Sequence, residues 1–278
     1  MNKTTRIVVL ADNTVAASGI RGEHGLAFWI ETDGHCILFD TGQGLVLTDN
    51  AKALNLDLDA VDTIVLSHGH YDHTGGLASV LRQAAGDVCV YAHPNALLPK
   101  YHRAEGKTRD IGMSADSIQA LSTSRYRLIT SREPKEVASG MWSTGEIPRR
   151  YPNETTTDSF CKDPDGREAD PLLDDQALFI KTEKGTIVLL GCAHAGPINT
   201  LDHIQHLTNG RPIRAVFGGM HLGSAPEERI AWTINELRRF DLLQLAAMHC
   251  TGMKATAALW NAFPCTCCTW GAGSSCEF

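Results

Sequence analysis

The sequence predicts an α/β fold, in which short strands that end in polar loops alternate with helices. Runs of β-branched and apolar residues recur along the 278 residues, and several are followed by glycine and then by helical spacing. One run, Thr63 to Leu66, leads through a serine into three histidines and an aspartate within six residues. Three later runs also end at a histidine. This order is typical of α/β proteins, which keep their sites at the ends of strands.

The first half of the chain predicts six strands and two helices. Apolar and β-branched residues dominate 6–11, 23–31 and 36–40, and a turn at Thr32–His35 predicts that the last two form a hairpin. Further strands are predicted at 63–66, 87–91 and 125–129. Apolar residues at helical spacing predict helices at 45–56 and 77–85.

The second half repeats the alternation of strand and helix. Strands are predicted at 174–182, 186–190, 213–217 and 243–248, with a last strand region at 265–278. Helices are predicted at 199–207, 227–240 and 253–262. Between the halves, 95–170 has little periodicity, and its stretch from 151 to 171 is rich in Asp, Pro, Thr and Gly. We therefore expect an irregular insertion there, of the kind that forms a lid or a specificity element.

The cluster after the strand 63–66 has the composition of a metal site. His68, His70, Asp72 and His73 supply imidazole and carboxylate groups, and neutral imidazole is a preferred ligand of zinc. A His-x-His-x-Asp-His order can serve two metal ions from one turn, because glycines at 69, 75 and 76 let the backbone fold tightly. A structural zinc site normally has four closed ligands, usually with cysteine, so this set favours catalysis over a structural or sensing role.

Composition narrows the range of partners. The formal net charge is −7 and no run of Lys and Arg occurs, which argues against a nucleic-acid partner, although bound metal could still attract an anionic substrate. The first apolar run is too short for a secretory core or a membrane span, so we expect a cytoplasmic protein without a membrane partner. Nine cysteines, an odd number, favour thiols over a disulfide framework, and the tail at 265–276 lacks the spacing of a zinc knuckle.

Three more histidines stand in the same position relative to a strand as the cluster does. His194, His221 and His249 each follow an apolar run and precede glycine or a helix. Strand ends that lead into helices line up along an edge of a sheet. We therefore expect these loops to converge with the first cluster along one sheet edge.

Six motifs carry a resemblance to a known family. They are EHGL at 23–26, LFDTG at 38–42, SHGHYDHTGG at 67–76, GCAHAG at 191–196, GGMHL at 218–222 and HCTG at 249–252. Their order resembles the metallo-β-lactamase superfamily over nearly the whole chain. More narrowly, the motifs resemble the branch named for 7,8-dihydropterin-6-methyl-4-(β-D-ribofuranosyl)aminobenzene-5′-phosphate synthase.

The resemblance implies a four-layer αββα sandwich as one domain over 1–278, with metals at the sheet edge. It assigns two divalent ions, zinc in the first place, to the following residues: His68, His70 and His194 for one ion, and Asp72, His73 and His249 for the other. The superfamily usually has a bridging aspartate where this sequence reads FGGMH at 217–221. His221 is therefore expected to point into the site, or else the second ion is held weakly.

Asp72 and His221 are the candidates for catalysis, and Glu23, His24 and His221 the candidates for substrate contact. Asp40, at a strand end, is expected to orient the metal loop.

The resemblance implies a small-molecule substrate, such as a phosphorylated one, and a pterin-related synthase or transferase. A zinc-dependent hydrolase of a phosphodiester, lactone or thioester uses the same ligands and stays open. A di-iron oxygen-reducing role is disfavoured, because superfamily members with that role usually have an acidic residue at the position of His70. A pterin substrate would require an aromatic or apolar slot near the metals. Trp29, Trp142, Tyr151 and Phe160 are the candidates for it, and packing in the core or in a loop is the alternative interpretation of each.

Overall fold

Strands and helices alternate along the chain much as the sequence predicts. The computed structural model describes residues 4–123, 125–154 and 159–278. Its strands, in chain order, are β1 Thr5–Ala11, β2 Ala27–Thr32, β3 His35–Phe39, β4 Thr63–Val65, β5 Val88–Ala92, β6 Tyr101–Ala104, β7 Lys107–Asp110, β8 Tyr126–Thr130, β9 Lys135–Ala138, β10 Met141–Ser143, β11 Phe160–Cys161, β12 Leu178–Thr182, β13 Gly185–Leu190, β14 Ile213–Gly219, β15 Gln244–Met248 and β16 Ser275–Glu277. Its α-helices are α1 Leu47–Ala53, α2 Tyr71–Thr74, α3 Leu77–Gln83, α4 Ala115–Leu121, α5 Pro197–Leu207, α6 Glu227–Leu237 and α7 Met253–Ala262.

Backbone contacts divide the chain into two compact units. The first consists of 1–132, 158–174 and 271–278, and the second of 133–157 and 175–270. No helix in the described ranges combines the length and the apolar character needed to cross a membrane.

The first unit is built on a seven-stranded sheet with the order β16-β1-β2-β3-β4-β5-β8. Strands β3, β4, β5 and β8 are parallel to one another, whereas β2 is antiparallel to both of its neighbours, β1 and β3. The turn between β2 and β3 is Asp33-Gly34, and both residues have positive φ, at 50° and 80°. That is the conformation a two-residue hairpin favours. Because β3 and β4 are parallel neighbours, Asp40 and the loop from Ser67 leave the sheet at the same edge.

The second unit is built on a six-stranded sheet with the order β15-β14-β13-β12-β10-β9. Strands β13, β14 and β15 are parallel, and helices α5 and α6 connect them. The amphipathic face of α6 is buried through Ile230 and Leu237. All three parallel strands therefore present their carboxyl ends at one edge, where the motifs of 191–196, 218–222 and 249–252 follow.

The α/β class is confirmed, but two expectations need correction. The histidine loops lie at the edges of two sheets, one in each unit, and not along a single sheet. Periodicity marks a strand without identifying its partner, so it did not separate the two sheets. The stretch 95–170 also contains regular structure, including helix α4 and the small sheet β11-β6-β7. The strands of this small sheet have only two to four residues, which is too short for a clear periodic signal.

Candidate metal centre

The first group of predicted ligands lies in one buried loop of the first unit. β4 ends at Val65, and the short helix α2 begins at Tyr71, directly after His70. His68 and His73 are fully buried, and His70 and Asp72 are nearly so. The strand thus positions His68 and His70, and the helical turn positions Asp72 and His73.

His68 and His70 place two ring nitrogens next to each other. His68 Nε2 lies 3.0 Å from His70 Nδ1, and His68 Nδ1 lies 2.8 Å from the Ser67 hydroxyl. That hydroxyl donates to Asp40, so His68 Nδ1 carries the proton and Nε2 is left as the basic nitrogen. Burial lowers the pKa of His68 well below its usual range, and it lowers the pKa of His70 to about 3. Both imidazoles are therefore neutral, which is the form that binds metal.

Asp40 orients both ends of this loop, as the sequence predicts. One carboxylate oxygen accepts the backbone N–H of Ser67 at 2.7 Å, and the other accepts the Ser67 hydroxyl at 2.6 Å. The second oxygen also accepts His73 Nδ1 at 2.7 Å. Since Nδ1 donates to Asp40, Nε2 is the basic nitrogen of His73. This carboxylate–histidine pair is the usual arrangement behind a metal-binding imidazole.

A buried lysine, which the sequence did not predict, is linked to the loop of His68 and His70 through an aspartate. Lys100 Nζ is 3.0 Å from Asp170 and 2.8 Å from Asp174. The other carboxylate oxygen of Asp174 accepts the N–H of Gly69 at 2.8 Å. A Cβ on Gly69 would collide with the backbone carbonyl of Ala96 and would lie 2.8 Å from Lys100 Cε, so glycine is needed for this close approach. Asp174 is 105 residues from Gly69 and 74 residues from Lys100, and no local motif marks that pairing.

His24 and Glu23 differ in what they contact. His24 Nε2 lies 3.2 Å from Asp72 Oδ2, so this half-exposed imidazole lies at the predicted metal loop. Glu23 is buried, and its carboxylate accepts the backbone N–H groups of the four residues from Gln43 to Val46. These bonds account for Glu23 as a structural residue that closes the turn before α1. We do not carry it into the proposed site.

The second group of predicted residues follows the parallel strands of the second unit. His194 is buried after β13, and its ring centroid lies 4.3 Å from that of His221, which follows β14. His249 is buried in the 3₁₀ turn after β15. The loop of His194 is held by Arg149, which donates to the His194 carbonyl at 3.0 Å, and by Asp175, which accepts the Ala195 N–H at 2.8 Å.

The backbone of these loops adopts a conformation that side chains disfavour. Ala193, His221 and His249 have φ of 51°, 47° and 48°, respectively, and Asp40 in the first unit has φ of 62°. Non-glycine residues rarely have positive φ, and such residues cluster at functional sites. Four of the predicted motif loops therefore contain one strained residue at or next to a candidate side chain.

Two cysteines stand beside the histidines of the second unit. Sulfur atoms of Cys192 and Cys250 and a ring nitrogen of His221 all lie within 4.8 Å of one another. Burial alone would raise the pKa of the Cys250 thiol, but hydrogen bonds with Cys192 and His221 and the nearby charge of His249 lower it well below its usual range. In the sequence these cysteines lie within the motifs GCAHAG and HCTG, in which only the histidines were assigned a role.

The four aromatic residues suggested for a pterin slot have different surroundings. Phe160 lies beside the metal loop, with its ring centroid 5.2 Å from that of His70. Trp29 is buried in the core of the first unit. In the second unit, Trp142 packs against the core and Tyr151 donates to Asp202 at 2.5 Å. Of these four, we keep Phe160 as the candidate for substrate contact.

Comparison with known proteins agrees with these motifs. The model of the metallo-beta-lactamase superfamily matches residues 20–158. A protein of Methanocaldococcus jannaschii, 7,8-dihydropterin-6-methyl-4-(beta-D-ribofuranosyl)-aminobenzene-5'-phosphate synthase, is 32% identical over 248 residues, which cover 84% of this chain and 82% of that protein. The chain belongs to the metallo-beta-lactamase superfamily.

Solved structures of the superfamily confirm the predicted fold. The crystal structure of Tm1679, described as a metal-dependent hydrolase of the beta-lactamase superfamily, matches with a TM-score of 0.84 and 28% identity, over 99% of each chain. Zinc-bound PqqB from Methylobacterium extorquens matches with a TM-score of 0.61 and 12% identity, over 98% of this chain and all of that one, which supports the fold alone.

The donor groups of the chain fit the divalent metals that this superfamily typically holds. Tetrahedral zinc with bonds of about 2.0–2.1 Å to nitrogen separates two nitrogen ligands by about 3.3 Å. His68 Nε2 and His70 Nδ1 are 3.0 Å apart and neutral. His73 is oriented by a carboxylate through its other nitrogen. The spacing of these candidate ligands in the first unit therefore fits a divalent metal ion.

Proposed function

We propose that the protein is an enzyme that depends on two divalent metal ions, zinc in the first place. The proposed ligands are His68, His70 and His194 for one ion, and Asp72, His73 and His249 for the other. Membership of the metallo-beta-lactamase superfamily supports this proposal. The observation that carries it is the pair of neutral ring nitrogens at His68 and His70, backed by the Asp40–His73 hydrogen bond.

The residues around the ligands have separate tasks in this proposal. Bound zinc acts as a Lewis acid that polarises a phosphoryl or carbonyl oxygen of the substrate. Asp72 Oδ2 lies 3.2 Å from His24 Nε2, so the two groups can hold a proton between them. His221 replaces the bridging aspartate of the superfamily and contacts the substrate or transfers a proton. Asp40 keeps His73 in one tautomer throughout.

The metal assignment is tested by the zinc content of variants. Replacement of both His68 and His70 by alanine is expected to abolish activity and the zinc of the first ion, measured by elemental analysis of the purified protein. His35→Ala is the matched control, because His35 is an exposed histidine of the same unit. Unchanged zinc in the double variant would overturn the ligand assignment.

For the substrate, we propose a dihydropterin that carries a diphosphate, which an arylamine displaces. The similarity to the Methanocaldococcus jannaschii synthase supports a reaction of this class. Phe160 supports it as well, because an aromatic ring beside His70 offers a flat apolar surface to a pterin. Two metal ions would neutralise the departing diphosphate.

A zinc-dependent hydrolase of a phosphodiester, lactone or thioester is the second candidate. Tm1679, which aligns over 99% of the chain, is described as a hydrolase. The two candidates differ in their products when a dihydropterin diphosphate and an arylamine are supplied together. A coupled pterin–arylamine product, identified by mass spectrometry, supports the synthase, whereas hydrolysis without coupling defeats it. Phe160→Ala should raise KM for the pterin several-fold and leave the zinc content unchanged.

A further inference from the structure

A set of donor atoms that includes two cysteines lies at the strand ends of the second unit, beside His194 and His249. Cys192 follows β13, His221 follows β14 and Cys250 follows β15, and these three strands are adjacent and parallel. Their sulfur and nitrogen atoms lie within 4.8 Å of one another. Two sulfurs and one imidazole therefore meet at a single point of this sheet edge.

The spacing of these donors suits a metal ion. Zinc bound tetrahedrally by thiolates at about 2.3 Å holds its sulfur atoms about 3.8 Å apart. The donor atoms of Cys192, His221 and Cys250 are at most 4.8 Å apart, so they need to approach one another by at most about 1 Å to bind zinc. A small rotation of the side chains provides this movement. Soft thiolate ligands together with imidazole select zinc or another thiophilic ion over magnesium or calcium.

The backbone is built to bring the three donors together. A Cβ on Gly219 would lie 2.6 Å from the Cys250 sulfur and 2.5 Å from the Gly191 carbonyl, so only glycine admits the thiol at this place. The Gly219 N–H donates to the Gly191 carbonyl at 3.0 Å. The Gly223 N–H donates to the Cys250 carbonyl at 3.1 Å. These bonds tie each donor loop to a neighbour.

Further bonds hold the same loops in place. The Met220 N–H donates to the Thr251 hydroxyl at 3.0 Å, which joins the loop of His221 to the loop of Cys250. His221 keeps a left-handed backbone with φ of 47° within these bonds. Strain of this kind, about 1 kcal/mol or more, persists where the surrounding structure holds the residue in a working position.

We propose that Cys192, His221 and Cys250 bind a thiophilic divalent ion, zinc in the first place. Three protein ligands leave a fourth position for solvent or an external ligand. None of these residues is among the six ligands proposed above, but Cys192 lies within 4.8 Å of donor atoms of His194 and of His249, so this ion would bind beside that centre. The two proposals are told apart by their ligands, because thiolate bonds are expected here and only imidazole and carboxylate bonds there. If His221 binds this ion, it is a metal ligand and does not transfer a proton to or from the substrate.

Cobalt(II) spectroscopy tests the proposal, because a thiolate ligand gives cobalt an intense charge-transfer band in the near ultraviolet. Chelator-treated, reduced protein titrated with cobalt(II) is expected to show this band. The band should persist when His68 and His70 are both alanine, and it should disappear in Cys250→Ser. Cys89→Ser, at a half-buried thiol of the first unit, is the matched control and should keep the band.

A measurement on the unaltered protein covers the case in which Cys250→Ser does not fold. X-ray absorption at the zinc edge of the zinc-saturated protein should contain a sulfur shell at about 2.3 Å besides nitrogen and oxygen at about 2.0–2.1 Å. Zinc-saturated protein without a sulfur shell overturns the proposal. A cobalt band that survives in folded Cys250→Ser overturns it as well.

Discussion

Asp40 links the two ends of the first ligand loop. Its carboxylate accepts three hydrogen bonds, two from Ser67 and one from His73 Nδ1. It does so from a backbone φ of 62°, a region that Asp tolerates better than most residues. All three groups that face the carboxylate are donors, so the site requires an acceptor on both oxygens.

Asp40→Asn tests this role. An asparagine turns its NH₂ group towards at least one of the donors, which releases His73 from its tautomer and orientation. Loss of a carboxylate behind a metal-binding histidine typically costs 10- to 100-fold in metal affinity. Zinc affinity, measured by competition with a chromophoric chelator, should fall by about that factor.

Asp57→Asn is the control for this substitution. Asp57 is an exposed carboxylate of the same unit that also accepts a backbone N–H, from Asp59. The zinc affinity of the Asp57→Asn variant should equal that of the unaltered protein. Equal affinity in Asp40→Asn would mean that the hydrogen bond to His73 does not prepare the ligand.

The sequence predicted the histidines and Asp40 because each lies in a short motif at a strand end. It did not predict Lys100 and Asp174, which act on Gly69 from distant positions through a buried ion pair. Nor did it pair Cys192 with Cys250, since 58 positions separate them and only the parallel order of β13, β14 and β15 brings them together. Contacts that depend on strand order leave no local signal.

The start of α5 is the clearest case at the scale of an element. Pro197 occupies the first turn, and the N–H groups of Ile198 and Asn199 donate to the Glu154 carboxylate at 2.8 and 2.6 Å. A carboxylate at a helix N-terminus is favoured by its exposed N–H groups. Gly196, with φ of 101°, leaves room for it, because a Cβ there would collide with the Glu154 side chain.

Burial disfavours the negative charge of the Glu154 carboxylate, whereas the N–H groups at the start of α5 favour it. Desolvation raises the pKa of Glu154 from 4.5 to about 7, although the two backbone hydrogen bonds act to lower it. The sequence predicted the helix from 199 to 207 but not this partner, which lies 44 residues earlier than Ile198. The structure extends the helix start to Pro197.

The raised pKa predicts how stability depends on pH. Between pH 4.5 and about 7, the folded protein holds a proton on Glu154 that the unfolded chain has lost. The stabilisation linked to this proton is complete below pH 4.5 and is lost as the pH rises through about 7. The shift corresponds to about 3 kcal/mol in the free energy of unfolding.

Glu154→Gln should remove this part of the pH dependence, measured by urea unfolding from pH 4.5 to pH 8. One backbone N–H then faces an NH₂ group, so a uniform loss of about 1–3 kcal/mol is also expected. The difference in slope, not the uniform loss, reports the titration. Glu183→Gln, at an exposed carboxyl group of the same unit, should keep the slope of the unaltered protein. An unchanged slope in Glu154→Gln would contradict the assignment.

At the scale of the whole molecule, the chain crosses between its two units more than once. The last residues, 271–278, return to the first unit, where β16 pairs with β1. The sequence predicted a strand region at 265–278, but the strand itself covers only Ser275–Glu277. Its pairing with β1 joins residues about 270 positions apart, for example Arg6 with Glu277. Alternating polarity predicts that such a strand exists, but it does not predict which strand it pairs with.

Metal removal tests the proposed centre on the whole molecule. A ligand that binds only the folded state stabilises it by about 2.7 kcal/mol when its free concentration is 100 times Kd. In a chain of this size that corresponds to a rise in Tm of about 5–10 °C. Zinc-loaded protein should therefore unfold at a temperature higher by about this amount than chelator-treated protein in calorimetry.

The shift should depend on both groups of ligands. The variant with alanine at His68 and His70 and the variant His249→Ala should each show a smaller rise in Tm, because each removes donors that the proposed ions need. His35→Ala should keep the full rise, since this exposed imidazole contacts Asp62 and not the ligand loop. A full rise in both ligand variants would mean that zinc stabilises the protein at other residues, and the six-ligand centre would then have to be abandoned.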